Sequence, residues 1–453
     1  MRSPLDNQRR DVSEFESLDP DLRERNRPLL RNWQRLRDLV ATDLAERPVG
    51  QHEARLLQLQ KALLEGIELV YIQVKDLADA FMLFETLNDR GLQLSAADLL
   101  KNHLLGAIAE SGGDEEDVDA AAAQWDDMLH DLGAHVDVSR FLRHYLLVSL
   151  PKVKKDEIFR HFKARVAAEG PIAVLKDLRI AARAYGEFES PEKVKDAAAR
   201  SVLTDLQTLR ATTCYVALIP ARRYLSSDDF VEYARLAEVL TFRYSSVVGL
   251  GTNELERQYH EAAKLLDASQ GERLAESRAV LVAAMPDSEQ FRVAFERMAM
   301  GRQYLLRYAL GKIEKSLSPP QEKLIVESDL VHIEHIMPKT LTDKWKRDLG
   351  SYASQHADYL NRWGNLTLFF RGLNIPASNK SFAEKRPYYR KSQVHLTKQL
   401  LEYRRWGIPQ IEERQRHLAK LADALWAVPK LDAVGVDLSD AVNAGGEPTP
   451  HAK

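Results

Sequence analysis

From residue 120 to about 315 the apolar residues of this chain recur at helical spacing, and little else interrupts them. A stripe of that period is buried only by packing against other helices, so the stretch predicts a multi-helical, mainly α protein. Breaks fall at Pro151, Gly170-Pro171, Ser190-Pro191, Pro220, Gly249, Gly251, Gly271 and Pro286. Their irregular spacing excludes a repeat array. The Trp, Phe and Leu stripes of this stretch read as core. Cys214, the single cysteine, reads as a small buried hydrophobe and leaves no disulfide framework or cysteine-based zinc knuckle to build. At 453 residues the chain exceeds what one core serves, and several domains are expected.

The flanks differ in texture. Residues 1–65 are polar and helical, with Leu29, Leu30, Trp33, Leu36 and Leu39 and then Leu56, Leu57, Leu63 and Leu64 at helical spacing. Residues 66–74 (GIELVYIQV) are β-branched and short, a strand signature. Asp76 opens a helix that the turn Asn88-Asp89-Arg90-Gly91 ends, and Ser95 to Asp98 forms a capping box for a helix over 96–109. After a linker at Ser318-Pro319-Pro320, strands are expected over 329–338 and 365–370. Helices follow at 381–391, opened by a Ser381–Glu384 capping box, and at 396–403 and 410–426. The pattern divides the chain into residues 1–111, a helical middle at 112–317, a further domain at 318–430 and a disordered tail at 431–453.

No apolar run approaches the roughly 20 residues that span a bilayer, and residues 1–15 lack the apolar stretch of a secretory signal. A cytoplasmic setting with no membrane partner is expected. The net charge of −3 is an average of unlike parts. Residues 329–430 carry 18 Lys and Arg against 10 Asp and Glu, a net of +8 that leaves −11 for the rest. Basic excess beside the strands and histidines suits a surface facing phosphates.

The chemistry concentrates in His332-Ile333-Glu334-His335-Ile336-Met337-Pro338. A zincin helix needs histidines four apart; here they are three apart, among β-branched residues and ahead of a proline. On a strand His332 and Glu334 share a face while His335 starts on the other, and a turn at Pro338 would let Glu334 and His335 reach one cleft. Asn365 opens the second strand, Asn374 follows past its end and Asn379 stands near the next helix. A carboxylate, an imidazole and an amide oxygen offer hard oxygen donors for Mg²⁺ or Mn²⁺ plus a neutral base.

This order of residues resembles the HNH, or ββα-metal, nuclease family. The resemblance implies a small C-terminal ββα-metal core in a mainly α chain, one divalent ion and DNA as substrate. By it, His335 is the general base, Glu334 and Asn374 are metal ligands, and Asn365 braces the catalytic loop. Asn379 is the rival of Asn374, and His332 a candidate for supporting His335 or touching phosphate. A wider stretch, HIEHIMPKTL followed by WGNLTLFFRGLNIPASNKSFAEK, resembles the C-terminal domain of GmrSD-type (type IV) restriction enzymes. Residues 84–105 (FETLNDRGLQLSAADLLKNHLL) resemble part of the partner domain of the same enzymes. That domain carries an Asp-Gly-Gln-Gln-Arg motif in a ParB-like fold; here Asp6-Asn7-Gln8-Arg9-Arg10 is only a loose counterpart. The resemblance therefore implies a restriction or phage-defence endonuclease lacking its nucleotide-sensing front. A separate ParB-like NTPase is then a candidate partner. A DNA-binding subunit idle without that partner, or an RNA-cleaving nuclease, are the alternatives. Lys380, Lys385, Arg386 and Arg390, interleaved with Tyr388 and Tyr389, are candidates for gripping the DNA backbone, against the plainer reading of a solvated helix face.

Overall fold

Short polar side chains set where the helices begin. Ser95 and Asp98 satisfy each other's backbone N–H groups ahead of the helix Ala96–Glu110, and Asp114, Asp196, Ser226 and Asp287 cap later helices through their side chains. The structure is a computed structural model that describes residues 20–66, 95–299, 301–318 and 330–430. The strand expected over 67–74, the helix from Asp76, the turn at 88–91, the segment 6–10, Pro319-Pro320 and the tail lie outside the described residues.

The chain forms two compact units, residues 1–143 with 153–189 and residues 144–152 with 190–453. The first holds α1 (Pro20–Ala45), α2 (His52–Gly66), α3 (Ala96–Glu110), α4 (Glu115–Leu132), the start of α5 (Val138–Leu147), α6 (Ile158–Glu169) and α7 (Pro171–Glu189). Its core lies between α4 and α7, which bury Trp125, Met128 and Leu132 against Leu175, Leu178 and Tyr185. Arg55 on α2 reaches Asp43 on α1, its Nε donating to Oδ2 at 2.7 Å, yet α2 itself buries no residue.

The second unit begins with α8 (Ala197–Thr208), α9 (Tyr215–Tyr224), α10 (Ser227–Thr241), a π-helix (Phe242–Val248), α11 (Thr252–Ala268), α12 (Leu274–Ala283), α13 (Ser288–Phe295) and α14 (Gln303–Leu317). Cys214 is fully buried here, as its reading as a small hydrophobe expects. Next come β1 (Val331–His335), α15 (Asp343–Leu349), α16 (His356–Leu360), β2 (Leu366–Phe370), α17 (Arg371–Ala377), α18 (Phe382–Arg390), α19 (His395–Lys398) and α20 (Ile408–Leu425). β1 and β2 pair antiparallel, Val331 opposite Phe370 and His335 opposite Leu366. The fold is thus mainly α and multi-helical, with a small two-stranded antiparallel element near the C-terminus, as the sequence predicts. No helix among the described residues is long and apolar enough to cross a membrane.

α20 packs behind the start of β2 and fixes it. Arg414 Nη1 donates to the carbonyls of Gly364 and Leu366 at 2.8 and 2.7 Å, and Gln415 Oε1 accepts from Gly364 N. The approach needs glycine, because a Cβ at Gly364 would overlap the Ile411 carbonyl and crowd Gln415. Gly364→Ala is therefore expected to cost about 1–3 kcal/mol through forced displacement of α20. A thermal melt of the variant that coincides with wild type would contradict this tight packing.

Candidate active site

β1 ends at His335 because the chain turns at Ile336 and Met337, and Asn365 holds that turn. Its Oδ1 accepts from Met337 N at 2.8 Å and from Trp406 Nε1 at 3.1 Å; its Nδ2 donates to Met337 O at 3.0 Å and Leu360 O at 2.9 Å. Every hydrogen-bonding position of the amide is used, and the residue has no exposed surface. Ile336 N also donates to Asn365 O at 2.9 Å. The turn thus comes before Pro338, and it is made by the asparagine side chain rather than by the proline. Ile336 and Met337 drop into a core with Trp345, Phe369, Phe382, Tyr389 and Trp406, which anchors both sides of the turn.

The turn brings Glu334 and His335, neighbours on a strand end, to one open cavity of about 460 Å³. Pro338, Lys339, Ser378 and Asn379 also line it. Asn379 sits just beyond α17, where Ser378 adopts a positive φ of 38°. Asn374 is within α17, half-buried, and is not among the lining residues. His332 is half-buried on β1 opposite Phe369 and does not line the cavity either.

Glu334 is held from behind. Lys385 Nζ donates to its Oε1 at 2.6 Å and Tyr389 OH donates to the same oxygen at 3.2 Å, while neither donor lines the cavity. Lys385 Nζ also donates to the carbonyls of His335 and Ile336, so one buried ammonium ties the carboxylate to the turn. Burial pushes the Glu334 carboxyl up and the Lys385 ammonium down, each offset by the other's charge. Tyr389 is driven well above its ordinary value by burial and by the adjoining carboxylate. Lys385, expected at a DNA surface, is instead fully buried on Glu334. Arg386 is half-buried with Nη1 on the Tyr403 carbonyl. Of that basic set Lys380 and Arg390 are exposed, and the Lys380 ammonium lies 4.6 Å from the centre of the Tyr388 ring.

His335 Nε2 lies 3.1 Å from Asn361 Oδ1. An amide oxygen only accepts, which keeps the proton on Nε2 and leaves Nδ1 as the basic nitrogen. Burial lowers the imidazole's proton affinity, Lys339, Lys385 and His356 push the same way, and Asn361 opposes them. The ring is therefore neutral at pH 7. Asn361 was not singled out by sequence reasoning; it stands 26 residues from His335 in an unpatterned stretch between α16 and β2, and no spacing rule points to it.

A family model described as GmrSD restriction endonucleases, C-terminal domain, matches residues 285–421. A second, described as GmrSD restriction endonuclease, N-terminal domain, matches residues 2–105. The chain belongs to the GmrSD restriction endonuclease family. No curated protein matches it. In this GmrSD chain the paired strands, the Asn365 brace and the Glu334–His335 cavity all fall inside the C-terminal match, whereas residues 106–284 fall in neither. Among the described residues no three or more His, Cys, Asp or Glu side chains converge to hold a metal by themselves.

Proposed function

We propose that this GmrSD chain is a divalent-metal-dependent endonuclease that hydrolyses DNA phosphodiesters in the restriction of foreign DNA. The observation that carries the reading is the neutral, oriented imidazole of His335 beside the Glu334 carboxylate at the mouth of one cavity. In this reading residues 318–430 are the nuclease domain, 112–317 a helical middle and 1–111 the partner segment.

The donor set fits a hydrated Mg²⁺ or Mn²⁺. Such ions take one or two carboxylates and fill their other positions with water and substrate phosphate, so a protein-only cage is not required. Glu334 and Asn379 would hold it, because both line the cavity and Asn374 does not. When bound, the ion supplies positive charge to the scissile phosphate and the departing oxygen. His335 Nδ1 takes a proton from a water as its oxygen bonds to phosphorus; the P–O ester bond opposite breaks and the leaving oxygen takes a proton from solvent. Asn361 keeps the ring's second proton on Nε2 during this transfer. Asn365 and Lys385 act at one remove, holding the turn and the carboxylate in place. Lys380 and Arg390 provide exposed charge for the backbone on either side.

The test is cleavage of supercoiled plasmid by the full chain with Mg²⁺ or Mn²⁺, beside chelator, a His335→Ala control and labelled RNA. Metal-dependent nicking or linearisation that the control lacks is expected. Retained DNA binding with no cleavage by either protein would sink the autonomous nuclease and favour a subunit awaiting a ParB-like partner. Cleavage confined to RNA would replace DNA as the substrate.

A further inference from the structure

A second cavity, of about 440 Å³, opens in the helical part of the second unit, and the proposed chemistry makes no use of it. Most of its lining comes from residues 209–255, which neither family match covers. Its character is cationic. Arg210 and Arg302 line it, no carboxylate does, and neither guanidinium makes an ion pair among the described residues. The nearest acid along the lining segments, Glu254, is engaged by Arg257 and Gln258 on its own helix.

Two helices begin at the cavity without a side-chain cap. α11, 17 residues long, starts at Thr252 after Gly251, and α14, 15 residues long, starts after Arg302. The first N–H groups of each have no partner within their helix, and both positive dipole ends meet the same space. The wall carries a further irregularity, since Ser245 belongs to the π-helix and its buried Oγ has no hydrogen-bond partner. An i−4 carbonyl usually satisfies a helical serine, and π-helical turns are often retained at functional positions.

Arg210 is also unusual in its backbone. It adopts a φ of 56° just after α8, where Ala211 N closes on Leu206 O. Glycine is the usual residue at such a helix end, because a Cβ disfavours the left-handed conformation. The guanidinium that this residue adds lies against the Tyr304 ring, 4.6 Å from its centre, at the cavity wall.

We propose that this cavity binds a phosphate group. Two guanidinium groups that make no ion pair among the described residues and two uncapped helix starts line one cavity, and a dianion with three terminal oxygens suits both. The site borders the catalytic cavity: Gly301 and Gln303 line that one, while Arg302 and Tyr304 line this one. The phosphate has two sources, a free small phosphate or the backbone of the DNA itself. Only binding is measured, so the inference stands apart from whether the chain cleaves.

The experiment compares the full chain with Arg210→Gly/Arg302→Ala. Glycine at 210 relieves the positive φ and Arg302 is exposed, so the double variant should melt at or near the wild-type temperature without ligand. Inorganic phosphate, at ionic strength matched with NaCl, should raise the wild-type melting temperature and slow amide exchange at Gln303 and Tyr304; the variant should lose both effects, and Arg302→Lys should keep part of them. That outcome assigns a free phosphate. If instead the variant binds a short labelled duplex at least about ten-fold more weakly, with a log–log salt slope shallower by about two, the source is DNA. Identical behaviour of both proteins toward phosphate and toward duplex would overturn the proposal.

Discussion

Exchange of His335 for alanine is expected to lower phosphodiester cleavage by about 10²- to 10⁴-fold, the usual contribution of a positioned general base. The expectation rests on the ring's protonation as much as on its place. Burial and the neighbouring cations hold the imidazole below its ordinary value of 6.5. The base form is thus already populated at neutral pH, and the rate should rise with pH through an acid limb centred below 6.5 and then level off. A metal cation beside the ring would move that limb in the same direction. Asn361→Ala removes the acceptor on Nε2. It should lower the rate by up to about 10²-fold through misorientation and move the acid limb further down, because the hydrogen bond favours the protonated ring. Single-turnover rates against pH for the three proteins measure both effects. A His335→Ala loss below about ten-fold would remove His335 from the role of base.

The largest stability effect is expected at Lys385. Its ammonium is the only cation on the buried Glu334 carboxylate among the described residues, at 2.6 Å. Lys385→Met keeps an apolar stem but strands that carboxylate, at a cost of about 3–5 kcal/mol. The pH dependence has a definite sign. Without Lys385 the folded-state carboxyl rises further above its unfolded value, so the folded variant binds more protons than the unfolded chain. Its deficit against wild type is then full at neutral and higher pH and shrinks as pH falls through the raised value. Adding Glu334→Gln removes both charges and should restore most of the stability while leaving cleavage abolished, since one proposed metal ligand is gone. Chemical denaturation at pH 5 and pH 8 distinguishes these cases. A single variant as stable as wild type at pH 8 would mean that Glu334 has another partner.

Both strands and the longer C-terminal helices of the second unit were legible because each is a local property, whereas the short helices α15 and α16 were not expected. β1 alternates β-branched with polar residues, β2 is a short apolar run, α18 opens with a capping box and α20 carries helical periodicity within its own residues. Glu334, His335 and Asn365 were legible as candidates because they lie in an ordered motif. What the sequence did not disclose is mostly non-local. Lys385 reads from its place in the family motif as the leading cation for the DNA backbone, and only the tertiary fold turns it inward onto Glu334. α17 was not expected, since Gly372 and Pro376 argue against a helix that packing nonetheless stabilises. Its formation carries Asn374 away from the cavity lining and leaves Asn379 there. Asn361 and the π-helix have no sequence signature at all.

Several of the bonds that shape the cavity close long loops. Lys385 to Glu334 spans 51 residues, Trp406 to Asn365 spans 41, and Arg414 to Gly364 spans 50. Contacts of that separation require the closure entropy of a long loop to be met before they contribute. A stretch that contains the histidine motif and both strands but stops short of α20 would therefore hold every proposed ligand and no defined geometry between them. If the proposed chemistry holds, competence is then a property of the assembled second unit: a nascent or partly unfolded chain carries Glu334, His335 and Asn379 with no defined geometry between them.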